Sequence, residues 1–192
     1  MTVQLDKLLE LDRPEVVTEH ARFYCHVPHV APLAYLHIIF NPAPRGVLDS
    51  ISAQLDLPEI LVSFLQAQNG ASLFSEALRI DGVVDPHRLH SRRNYYAQVP
   101  YSLINNNRHP VMKLFPEWLG IGDYGFDGSR ILLNRGSGEI QAVDQTGGSL
   151  GIWQDLETFL VSELKRVRAL FSPSGQCLVD AEFTVPRHRR VN

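Results

Sequence analysis

The chain has 192 residues, is 44% hydrophobic and 20% charged, and carries a formal net charge of −3. That balance is ordinary for one globular domain large enough to bury a core without a disulfide or metal staple. It argues against a strongly basic nucleic-acid binder, because only Arg92-Arg93-Asn94-Tyr95-Tyr96 combines basic and aromatic residues, and that run is short.

The first residues, Met1-Thr2-Val3-Gln4-Leu5-Asp6, show no basic segment followed by an apolar one, so no secretory signal is expected and the cytoplasm is the expected location. Residues 3–12 place Val3, Leu5, Leu8, Leu9 and Leu11 on an approximate helical stripe. Residues 20–44 hold His20, Cys25, His26, His29 and His37 among four prolines. Cys25, His26 and His29 are chemically able to bind zinc, but no second cysteine pair completes a tetrahedral set. No metal and no cofactor are therefore expected, and Cys25 and Cys177, which fit no CxxC spacing, read as buried or inert free thiols. Tyr35-Leu36-His37-Ile38-Ile39-Phe40 reads equally as a strand or a short buried helix. The longest apolar-rich run, 30–40, is broken by Pro32 and His37 and is too short to span a bilayer, so no membrane association is expected.

After the connector Asn41-Pro42-Ala43-Pro44-Arg45-Gly46, helical spacing links Val47, Leu48, Ile51 and Leu55. Asp56-Leu57-Pro58-Glu59 reads as a fresh helix start of capping-box type. The helix predicted over 58–68 lines up Leu57, Ile60, Leu61, Phe64 and Leu65 and stops at Asn69-Gly70, with glycine in the left-handed position after the last turn. Two short strands, at Leu73-Phe74 and Leu78-Arg79-Ile80, close on Asp81-Gly82. Residues 85–107 are polar and arginine-rich; a helical turn is expected near 100–104, and Asn105-Asn106-Asn107 marks a loop.

The stretch 117–134 then organises the chain. Gly120-Ile121-Gly122-Asp123-Tyr124-Gly125 has the letters of a dinucleotide fingerprint, but that motif must open a helix. Here it runs into Asp127-Gly128 and the strand-like Ile131-Leu132-Leu133, so the spacing predicts an antiparallel hairpin and no nucleotide. Another strand follows at 139–144. A helix is predicted over 153–171, where Trp153, Leu156, Leu160, Leu164, Val167 and Phe171 recur every three or four residues. The end, from 172 onward, is turn-rich with one short strand at 177–179 or 183–185 and a basic tail, Arg187-His188-Arg189-Arg190. Helices, then short strands, then a terminal helix predict an α+β fold with a mainly antiparallel sheet.

Taken in order, Leu57-Pro58-Glu59 with Phe64-Leu65 and Asn69-Gly70, then Ile121-Gly122-Asp123 through Leu132-Leu133, then Leu156-Glu157-Thr158-Phe159-Leu160 resemble the SUKH superfamily of SMI/KNR-type proteins. The match covers about residues 46–164 of a single domain spanning 1–192; residues 1–45 read as an N-terminal extension and 172–192 as a basic C-terminal tail. Ser50, Ser52 and Ala53 stand where the family often carries an acidic residue. The resemblance implies a protein-binding module rather than an enzyme: an immunity protein that neutralises a toxin, often a nuclease, or a scaffold. It supplies no catalytic residues, and the chain has no GxSxG, HExxH or P-loop motif. A histidine-dependent hydrolase using His20, His26, His29 or His37 is the competing expectation. Residues 114–164 carry eight acids against two bases, net −6, a surface suited to a basic partner. Glu117, Asp123, Tyr124 and Asp127 on the hairpin are the expected partner contacts. A solvated turn is the plainer reading of each.

Overall fold

The structure is a computed structural model that describes residues 3–84 and 99–187. The fold is α+β, built on a nine-stranded sheet whose strands follow one another in chain order, each antiparallel to the next. The strands are β1 (Val16–Val17), β2 (Ala21–His26), β3 (Tyr35–Phe40), β4 (Ala71–Leu73), β5 (Leu78–Ile80), β6 (Trp118–Asp123), β7 (Arg130–Asn134), β8 (Ile140–Val143) and β9 (Ser149–Trp153). The helices are α1 (Leu5–Leu8), α2 (Arg45–Leu55), α3 (Glu59–Ala67), α4 (Leu103–Asn107) and α5 (Leu156–Arg168), with short 3-10 turns at Pro110–Leu114 and Ala181–Thr184. Residues 35–40 are thus a strand, and β1 to β3 make the N-terminal region part of the same sheet. The motif Arg92-Arg93-Asn94-Tyr95-Tyr96 and the tail beyond Arg187 lie outside the described residues.

One core joins the helices to a single face of the sheet. Leu48 and Ile51 of α2, Leu61, Phe64 and Leu65 of α3, and Phe159, Leu160 and Leu164 of α5 pack with Ile39, Leu73, Leu78, Ile121, Ile131 and Ile140. Strand alternation sends Leu132 and Val143 to the opposite face, where Val111 and Met112 of the 3-10 turn cover them. A third cluster, Phe23 with Tyr35, Ile38 and Phe40, covers that face at the other end of the sheet.

Several boundaries differ from the sequence pattern. Asp56 does not cap α3; it takes a left-handed conformation (φ 52°) that ends α2, and Pro58 starts α3 with no side-chain cap. Helix α3 stops where Gln68 turns extended (φ −160°), and its buried amide accepts from Leu5 N and donates to Val3 O, tying the N-terminus to the core. Gly70 is left-handed (φ 83°), but three residues beyond the last residue of α3, where a Cβ would lie 2.5 Å from the Ile80 carbonyl oxygen. Asn105, Asn106 and Asn107 are not a loop but the last residues of α4, because Ser102 caps the helix by accepting from Asn105 N. The predicted helix 153–171 is shorter: Trp153 pairs with Ile140 at the end of β9, and Asp155 caps α5 through Thr158 N at 2.7 Å. At the C-terminus, Cys177 makes one isolated bridge to Phe171, and 181–184 is a 3-10 turn rather than a strand.

Candidate partner-binding surface

Residues 118–134 form the predicted hairpin, β6 and β7, and its glycines serve packing. A Cβ on Gly122 would lie 2.2 Å from the Arg79 carbonyl oxygen and one on Gly125 2.1 Å from that of Glu76. The missing side chains let β6 and its turn press against β5, which explains the spaced glycines without any phosphate.

The structure does not bring the four expected contact residues together. Glu117 is exposed just before β6, whereas Asp127 is half-exposed in the turn beyond its other end. Asp127 accepts from Ser129 N at 2.8 Å and so shapes the turn. The expectation of exposed contacts fails for Asp123 and Tyr124, which are buried at 6% and 0% exposure. Both point into the protein because each has a buried partner of opposite or complementary polarity there. Asp123 accepts from Arg79 Nε at 2.5 Å and lies 3.6 Å from Arg130 Nη1. Tyr124 donates through its hydroxyl to Glu163 at 2.8 Å, and Arg166 holds that same carboxylate at 2.7 Å. Burial, and then the neighbouring Glu163 charge, raise the Tyr124 phenol well above its ordinary value, so it remains a donor.

Asp123 belongs to a longer polar network that the sequence did not reveal. Arg130 also donates to Asn106 Oδ1 at 2.9 Å, and Asn106 donates to Asp81 Oδ2 at 2.5 Å and to the Gly122 carbonyl at 3.2 Å. At the surface end, the Arg79 guanidinium stacks 4.3 Å over the Tyr101 ring, and Tyr101 donates to Glu76 at 3.2 Å. The network ties β5, β6, β7 and α4 together and leaves the hairpin turn firmly seated. Asp81 is its innermost member; burial, opposed by the Asn106 hydrogen bond, raises its carboxyl to about 7.

What the seated turn presents is apolar. Phe126 is 52% exposed at its tip and borders a groove of about 300 Å³ lined by Phe74, Ala77, Phe171 and Cys177. Glu76 lines the same groove, and Asp127 follows Phe126 directly. Cys177 also lines a neighbouring depression with Leu178 and Phe183, both exposed, so the apolar surface runs on into the C-terminal segment. Its place between glycine and aspartate marks Phe126 as a turn residue, but nothing local shows whether its ring is exposed.

The histidines do not converge. His26 hydrogen-bonds the Pro32 carbonyl at 3.0 Å, whereas His37 is buried against Phe74 with ring centroids 4.7 Å apart. Burial lowers the His37 pKa to about 4, leaving it neutral. Among the described residues no three His, Cys, Asp or Glu side chains are grouped to hold a metal ion, and no helix is long and apolar enough to cross a membrane. Cys25 and Cys177 are unpaired, but neither is buried: Cys25 is exposed within β2 on a left-handed backbone (φ 58°), and Cys177 is half-buried. Neither a protein-family model nor a curated protein matches the chain.

Proposed function

We propose that this chain is an intracellular, cytoplasmic protein-binding module of the SMI/KNR (SUKH) type, acting as an immunity protein that masks a basic toxin such as a nuclease. The observation that supports this reading is the exposed apolar groove at the β6–β7 turn, with Phe126 at its lip and the carboxylates of Glu76 and Asp127 beside it. Exposed contiguous apolar surface with a polar rim is the usual mark of a protein interface. The rim carboxylates favour a partner with basic residues, as a phosphate-binding nuclease must have. The order of α3, two short strands, the glycine-rich hairpin and α5 is the order that the resemblance implies.

The test is co-expression with a toxin encoded beside the gene. The wild-type chain should restore growth and bind the toxin directly, and Phe126→Glu should abolish both while melting at the wild-type temperature. Rescue by a correctly folded Phe126→Glu protein would remove the groove from the interface. Absence of any adjacent toxin would leave the scaffold role of the same family as the better reading.

A further inference from the structure

A second cavity lies away from the hairpin groove. It is a half-open depression with a volume of about 520 Å³, bordered by the segment after α1, by the ends of β2 and β3, and by the end of α5. Pockets that hold small molecules measure about 300–1,000 Å³ and combine apolar walls with a few convergent polar groups. The walls here include Leu36, Phe74 and Phe171, and the polar groups include Cys25 and His37 beside side chains of both charges.

Three features show a built site. First, His37 is 4% exposed, lines this cavity, and its Nδ1 has no hydrogen-bond partner among the described residues. A buried ring nitrogen left without a partner is costly, and such groups concentrate where a ligand completes them. Second, side chains of both signs line the cavity together, Arg13 and Arg168 with Glu10, Asp12 and Glu15. Third, Arg168 spans two walls, donating to the Leu9 carbonyl at 3.4 Å and to Glu10 at 3.2 Å. Glu15 uses one carboxylate oxygen on His26 N at 3.0 Å. Partial burial, reinforced by the Glu15 charge, raises the Cys25 thiol, which disfavours a nucleophilic thiolate there.

We propose that this cavity binds a free α-amino acid with an apolar side chain. Arg168 holds the ligand carboxylate, Asp12 and Glu15 hold its ammonium, and the side chain lies against Phe74 and Phe171. Guanidinium-carboxylate recognition is the strongest polar contact available in the cavity. A ligand carrying only one of the two charges would forgo one of these two ion pairs. The neutral His37 imidazole adds a hydrogen bond without adding charge.

Isothermal titration of the full chain with L-leucine and L-phenylalanine tests this, with 3-phenylpropanoate and phenethylamine as the single-charge analogues. Saturable binding of at least one amino acid is expected, with each analogue weaker by about tenfold or more. Arg168→Gln and Glu15→Gln should each weaken binding by a similar factor while leaving thermal unfolding unchanged. Bound amino acid should also slow alkylation of Cys25, a readout independent of the heat signal. No saturation by either amino acid at about 10 mM, weaker than ordinary metabolite sites, would overturn the proposal. So would equal affinity for phenethylamine or 3-phenylpropanoate, or wild-type binding by a folded Arg168→Gln protein.

Discussion

Asn106 donates to the buried carboxylate of Asp81 across 2.5 Å and, through its own oxygen, accepts from Arg130 at 2.9 Å. One asparagine thereby couples an almost fully buried acid to an arginine ion-paired with Asp123. The arrangement makes Asp81 a pH-sensitive point of the fold. A carboxyl whose folded pKa is raised, here to about 7, contributes stability while it is protonated. That contribution is full below the ordinary value of 3.8 and is lost as pH rises through about 7.

The expected outcome is that Asp81→Asn, which keeps an acceptor for Asn106, removes this slope. Urea unfolding should show the wild type losing stability relative to the variant between about pH 5 and about pH 8, a comparison in which the neutral buried His37 cancels because both proteins carry it. Parallel pH profiles for the two proteins would show that Asp81 is ionised throughout.

Asp123→Asn should be strongly destabilising, by about 3–5 kcal/mol, because it leaves Arg79 and Arg130 half-buried without their shared countercharge. An exposed turn carboxylate would predict almost no change. Thermal and urea unfolding decide between the two, and a loss under about 1 kcal/mol would mean the side chain sits in water.

Gly122→Ala should cost about 1–3 kcal/mol, since the added methyl meets the Arg79 carbonyl oxygen in the paired strand and backbone has to move. Hydrogen exchange should show the loss of protection concentrated in β5 and β6. NAD and ATP should bind neither protein; nucleotide binding abolished by this substitution would restore the phosphate-loop reading.

Phe64 is buried between α3 and the sheet, and truncating it leaves a cavity, so Phe64→Ala should cost about 3–5 kcal/mol in a denaturant melt. A cost under about 1 kcal/mol would place that face of α3 on the surface.

Local chemistry made much of this fold legible. The stripe Leu61, Phe64 and Leu65 identified the buried face of α3, and Asp127-Gly128 between two strand-like runs identified the β6–β7 hairpin. Both signals are repeated within a few residues, which is the range over which periodicity and turn preference act. The candidate site was not legible in the same way. Asp123 looked like an exposed turn acid because its partner Arg79 lies 44 residues away, and Asp81 meets Asn106 across 25 residues. Tyr124 was drawn inward by Glu163, 39 residues on, and the cavity at His37 needs walls from residues 9–15 and from the end of α5. By itself the sequence determined the buried faces of α3 and α5 and the β6–β7 hairpin, because those choices depend on neighbours along the chain, whereas it left 35–40 open and read 105–107 as loop. Which charges are buried, and which aromatic remains in water at Phe126, only the tertiary structure decided, because ion pairing and burial depend on neighbours in space.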